Sequence, residues 1–216
     1  MSSKAIAIIG AGGFGRETAD VIAAINAVAE LDPWELKGVY DDAPSEANLI
    51  RLEDRGIAYL GPITGARGDA SMSYVIGVGN PKVREMLAER MSVLDWDPAV
   101  LIHPDAVIGT RSRIGGGTVV CGGVQVSTNV TLGRHVHLNP NSTIGHDAEL
   151  RDFVSVNPAA VVSGEVVVGR GSLLGANATV LQGLRVGESS TVGAAACAVR
   201  DVSAGATVIG VPAKER

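Results

Sequence analysis

The sequence predicts an α/β domain with a mainly parallel sheet over residues 1–98, followed by a parallel β-helix of six-residue repeats over residues 99–216. Three observations carry this expectation. Aliphatic residues return at every sixth position through the second half, short apolar runs alternate with helical spacing in the first half, and the composition suits a narrow core. Of 216 residues 28 are glycine, 46% are hydrophobic and only 3% aromatic, so whatever fills the interior is small and aliphatic.

The repeat starts at Ile102 and continues through Ile108, Ile114, Val120, Val126, Leu132, Leu138, Ile144, Leu150, Val156, Val162, Val168, Leu174, Val180, Val186 and Val192, sixteen anchors without an insertion. Four residues after most anchors stands a small or β-branched residue, such as Thr118, Ala148, Ala160 or Ala178, and the residue after the anchor is often glycine. A period of six fits neither an amphipathic helix nor a two-sided strand. It suits short strands separated by turns at fixed intervals, with anchor and small residue pointing inward. Three hexads close a triangular coil, so each residue stacks on its counterpart one coil away.

The first hundred residues have a different pattern. KAIAIIG is a short apolar strand, and GAGGFGRETADVIAAINAV turns and then shows helical spacing at Thr18, Val21, Ile22 and Ile25. ELKGVYDD and SYVIGVGN read as further strands, and PKVREMLAERM as a helix opened by proline. Strands alternating with helices imply a parallel sheet. Gly10, Gly12 and Gly15 form a GxGxxG between strand and helix, where backbone N–H groups can receive a phosphate. A stretch of about 98 residues is too short for both halves of a dinucleotide fold, so the motif reads as a nucleotide-sugar site, with a purely structural glycine turn as the alternative, and not as a nicotinamide site.

Composition also excludes. Net charge is −5 with the two signs interspersed, and no Lys/Arg run is dense enough to track a nucleic-acid backbone. Apolar runs such as Ala5–Ile9 fall far short of the ~20 residues a membrane helix needs, and the N-terminus has no secretory pattern. A cytoplasmic protein is expected. Cys121 and Cys197 lie far apart with no ligand spacing and read as free thiols.

These residues resemble the hexapeptide-repeat acyltransferases, which makes the expected β-helix left-handed, and the GVPAK near the C-terminus is typical of that family. The two halves together are similar to the bacterial sugar acyltransferases related to sialic acid O-acetyltransferases and to N-acetyltransferases of nucleotide-linked 4-amino-4,6-dideoxy sugars. The resemblance covers essentially the whole chain. It implies a homotrimer with acetyl-CoA held between subunits and a nucleotide-linked aminosugar held by the α/β domain. It places Gly12, Gly13, Phe14, Asp41, Asp42 and Gly79 at nucleotide-sugar contacts, and Ser155, Ala176 and Ala194 at coenzyme contacts.

Among the four histidines, His146 stands two residues after the anchor Ile144 and so faces outward from its coil. It matches the family's catalytic histidine, and Asp147 matches the acid that follows. Imidazole is suited to take a proton near neutrality, and a carboxylate beside it favours the charged form. His146 is therefore expected to act as general base with Asp147 as partner, in direct attack by an amine on the thioester. The chain departs from its relatives at Ser155, where many have histidine, and at Arg151, where glycine is usual. His137, expected to face outward one coil before Ser155, is a candidate substitute for that histidine. Arg151 or Asp152 N–H is a candidate oxyanion donor. The β-helix fold also hosts zinc carbonic anhydrases, but their histidine spacing is absent and no metal is expected. O-acetylation of a sugar hydroxyl and a nonenzymatic scaffold are the alternatives.

Overall fold

The computed structural model describes Lys4–Arg216, which divides into two compact units, the first ending at Leu101 and the second running over Ile102–Arg216. In the first unit five strands form one parallel sheet: β1 (Lys4–Ile9), β2 (Trp34–Tyr40), β3 (Tyr59–Gly61), β4 (Met72–Ile76) and β5 (Asp97–Pro98). Their order across the sheet is β3-β2-β1-β4-β5. Helices α1 (Gly13–Val28), α2 (Glu46–Glu53) and α3 (Pro81–Met91) connect them. The strands and helices expected from the sequence are all present, and α2, β3 and β5 are added. β1 lies at the centre, and Ile6, Ala7, Ile8 and Ile9 are fully buried, as a strand covered on both faces requires.

Close packing explains two of the glycines in this unit. A β-carbon on Gly15 would stand 2.0 Å from the carbonyl oxygen of Gly10, and one on Gly77 would stand 2.5 Å from the α-carbon of Gly15. Here α1 meets the ends of β1 and β4 backbone to backbone, the role of the third glycine in such motifs.

The second unit is a parallel β-helix with two-residue strands on three faces. On the second face Val126, Ile144, Val162, Val180 and Ala198 pair in register, one per coil. The first face carries Val120, Leu138, Val156, Leu174 and Val192, and the third Leu132, Leu150, Val168 and Val186. Every anchor from Val120 onward is buried, while Ile102, Ile108 and Ile114 in the first coil are half-buried. From Arg111 to Ala195 each corner is closed by a residue of positive φ, for example Asn129, Asp147, Glu165 and Asn177, all between 56° and 62°. At the far end Val208 pairs parallel with Val192, and Lys214–Glu215 returns antiparallel on Val208–Ile209.

Because the backbone atoms facing Gly15 have nowhere to move, Gly15→Ala is expected to destabilise the first unit beyond the ~0.5–3 kcal/mol usual for a point substitution. Chemical denaturation of the variant beside the parent checks this, and a change under about 1 kcal/mol would contradict the packing account.

Candidate active site

In the first unit, the sheet order reverses direction at β1, so the loops leaving β1 and β4 flank the crevice where open parallel sheets bind ligands. The two loops touch: a β-carbon on Gly10 would meet Val78 Cγ2 at 2.7 Å. The helix starts differ in one respect. Ser45 caps α2 by accepting from Asn48 N, and Asn80 caps α3 by accepting from Val83 N, whereas α1 begins at Gly12 with no side-chain cap. A helix start without a side-chain cap is a place where backbone N–H groups can meet an anion. Gly12, Gly13 and Gly79 have neither positive φ nor any atom within 4 Å of an added β-carbon. Neither backbone geometry nor packing requires glycine there, and their effect is to keep the mouth of the crevice open. Phe14 follows, half-buried in the first turn of α1.

The two acids expected at nucleotide-sugar contacts are already engaged within the unit. Asp41 accepts from Ala11 N (2.8 Å) through Oδ2 and from Ala43 N (2.9 Å) through Oδ1, and so ties the glycine loop to the end of β2. Asp42 accepts from Ile63 N (2.9 Å) and pairs with Arg90, whose hydrogen bond holds its carboxyl below the usual range. Carboxylate oxygens can accept further bonds, yet the first task of both is to shape the loops. Two arginines were not singled out from the sequence. Arg84, fully buried, donates to the carbonyls of Val78 (2.8 Å) and Gly79 (3.1 Å), and burial pushes its guanidinium down to about 9. Arg16 donates to Ala11 O (3.0 Å) and Asn48 Oδ1 (2.8 Å).

In the β-helix, His146 and Asp147 lie at the corner between the second and third faces. Ile144 and Ala148 beside them are buried, while the His146 and Asp147 side chains are 59% and 47% exposed. His146 Nδ1 and Asp147 Oδ2 are 2.7 Å apart, and Asn129 Nδ2 donates to Asp147 Oδ1 at 3.0 Å. His146's hydrogen bond and then Asn129's hold the Asp147 carboxyl below its ordinary range. An ionised carboxylate only accepts, so the proton sits on Nδ1 and the lone pair of the neutral ring on Nε2. The ring lies over Gly164 in the next coil, where a β-carbon would fall 2.6 Å from Nε2.

The remaining expected residues lie elsewhere on the prism. Ala176 and Ala194 stack at the corner between the first and second faces, a different edge from His146. Ser155 pairs in register with His137 on the first face, and both are buried. The expectation that His137 is outward-facing and available is thereby corrected: its ring is fully buried. Arg151 N–H donates to Val168 O (2.9 Å) in the ladder and is not an oxyanion donor. Its side chain reaches Glu149 and Glu188. The corner it enters still closes normally through Phe153 at φ 62°, so glycine is dispensable there. Among the described residues no group of three or more His, Cys, Asp or Glu could hold a metal ion, and no helix is long and apolar enough to cross a membrane.

This architecture, a small α/β unit with an open glycine loop joined to a hexapeptide β-helix bearing an exposed His–Asp pair, defines a class of acyl-transfer protein. Residues 5–91 match the family model of the PglD N-terminal domain. GDP-perosamine N-acetyltransferase of Escherichia coli O157:H7 is 27% identical over 221 residues, covering 96% of this chain and 94% of that protein. The acetyltransferase domain of PglB from Neisseria gonorrhoeae superposes with TM-score 0.86 at 29% identity, over 99% of this chain and all of that one. PerB from Caulobacter crescentus, solved with CoA and GDP-perosamine, gives TM-score 0.79 at 26% identity, covering 98% and 97%. The chain is thus similar along its whole length to sugar N-acetyltransferases of the hexapeptide-repeat kind, and its β-helix is the left-handed one seen in them.

Gly164→Ala places a methyl group against an exposed ring that can swing aside. The variant is expected to keep its melting temperature, because only the end of an exposed side chain must yield. The ring is expected to leave Asp147, which nuclear magnetic resonance of the imidazole nitrogens would show as loss of the fixed Nδ1–H form. An unchanged imidazole spectrum would contradict the placement of His146 over Gly164.

Proposed function

We propose that this chain transfers acetyl from acetyl-CoA to the amino group of a nucleotide-linked aminodideoxy sugar, acting as a cytoplasmic homotrimer with active sites between subunits. The observation that carries the chemistry is the exposed pair in which Asp147 engages His146 Nδ1 and leaves Nε2 as the base. The amine attacks the thioester carbonyl while Nε2 takes its proton, and collapse of the tetrahedral intermediate expels the thiolate, which recovers the proton from the imidazolium. Amine and thioester held together need no acyl-enzyme. The developing oxyanion needs a nearby donor, and the backbone that meets the ring is that of Gly164.

Binding of a nucleotide sugar is supported by the uncapped start of α1 and the open glycines Gly12, Gly13 and Gly79 at the crevice of the first unit. Its diphosphate would lie against the N-terminus of α1. The PerB complex contains both CoA and GDP-perosamine, and the PglB domain has also been solved with acetyl coenzyme A. A shared site is supported by the position of Ala176 and Ala194, on another edge than His146. One chain's base then works on coenzyme held at a neighbour's edge, as closed cyclic symmetry allows.

His146→Ala is expected to fold and assemble as the parent does and to lose about 10²–10⁴ in rate, read as thiol release from acetyl-CoA. Retention of the parent rate would show the base assignment to be wrong. The pH dependence has a definite sign. Asp147 has a lowered value, so its contribution is complete at neutral pH and is lost only as pH falls through that lowered value. Asp147→Asn is therefore expected to slow the reaction across the whole neutral range, and an effect confined to pH below about 4 would contradict the pairing.

A further inference from the structure

We infer that Asn129 is a positioning residue for the proposed base, fixing the Asp147 carboxylate from the coil above so that its other oxygen meets the histidine. The inference rests on His146 being the base. Asn129 lies one coil before Asp147 on the same edge, and its Nδ2 donates to Asp147 Oδ1 at 3.0 Å, while Asp147 Oδ2 stands 2.7 Å from His146 Nδ1. The carboxylate is thus held at both oxygens, one by the base and one by an amide that cannot itself change charge. Without Asn129 the carboxylate is free to rotate about its Cβ–Cγ bond, an sp³–sp² torsion with a broad profile.

The backbone on this edge is fixed independently of these side chains. Asn129 N donates to Thr110 O, Asp147 N to Thr128 O, Glu165 N to His146 O and Gly183 N to Gly164 O, at 2.8–3.1 Å. This ladder puts Asn129 directly over Asp147 whatever its side chain does. The left-handed corner does not select asparagine either: Arg111, Asn129, Asp147, Glu165 and Gly183 occupy successive places on the edge, all at φ between 61° and 71°. Asparagine tolerates that conformation well, but so does the site with arginine or glutamate. What distinguishes position 129 is the carboxylate beneath it. An amide donates to that carboxylate, whereas aspartate in the same place would bring a second negative charge against it.

Two variants keep the corner and separate the readings. Asn129→Gly retains the backbone conformation and removes the amide; Asn129→Asp keeps size and shape and replaces a donor with an acceptor. The expected result for Asn129→Gly is a kcat about tenfold lower, the scale of one hydrogen bond to a charged group partly screened by water. KM for both substrates and the melting temperature should stay within experimental scatter of the parent. Asn129→Asp is expected to lose more. In the Asp147→Asn background, Asn129→Gly should have no further effect, because the two act through one carboxylate. A parent-like kcat for Asn129→Gly, or an equal loss in the Asp147→Asn background, overturns the inference. His146→Ala run alongside keeps the two failures apart: if it loses activity while Asn129→Gly does not, only the role of Asn129 falls, and if it keeps activity the base itself is misassigned.

Discussion

The in-register stacking of eighteen-residue coils is the constraint on which the rest of this protein depends. Each corner N–H donates to the carbonyl one coil back, and each anchor pairs with the anchors above and below. The result is a prism whose edges are columns of side chains from residues far apart in sequence. A side chain on an edge therefore has two neighbours chosen by the register. For the pair at 146 and 147 these are Asn129 on one side and Gly164 on the other: one supplies a donor to the carboxylate, and the other supplies room for the ring. The rigid ladder holds their spacing, so a site exposed to solvent can still be organised.

The first unit solves a different problem with a similar economy of side chains. Its glycines divide into those that packing demands and those that it does not. Gly15 and Gly77 permit helix and strand ends to meet at backbone distance. Gly12, Gly13 and Gly79 face open space, and the helix that begins among them is the one α-helix of the three without a side-chain cap. The loops around this opening are braced from behind by Asp41 on Ala11 N, by Asp42 on Ile63 N and Arg90, and by Arg84 on the carbonyls of Val78 and Gly79. An uncapped helix start held by a braced frame is what preorganises the anion site proposed above.

Much of this was legible in the sequence because the informative signals are local or periodic. A hexad repeat fixes which residues face inward, and it placed Ile144, His146 and Ala148 correctly without coordinates. Strand and helix patterning located β1, β2, β4, α1 and α3. What escaped was either too short to carry a period, as with the three residues of β3, the two of β5 and the eight of α2, where only Leu52 is buried, or decided by partners far along the chain. The bonds of Asp41 and Asp42 run to Ala11, Ile63 and Arg90, so their role as braces could not be read from a pair of acids at a strand end. His137 shows the limit of periodicity from another side: its place in the hexad points it out of the coil, yet the ring is fully buried. Asn129 was within reach, since the repeat itself says that it stacks on Asp147, but only the direction of the amide reveals the hydrogen bond.

The central claim is that the base serves an amine, and product analysis tests it most directly. Purified protein is incubated with acetyl-CoA and matched nucleotide sugars that differ only in bearing an amino or a hydroxyl group at one ring carbon, with thiol release and product mass followed together. The account predicts one acetyl gained by an amino acceptor, joined as an amide stable to mild base, with one thiol released per product and no turnover of its hydroxyl counterpart. Acetylation of the hydroxyl sugar with the amino sugar untouched would contradict it, as would the absence of thiol release with every acceptor.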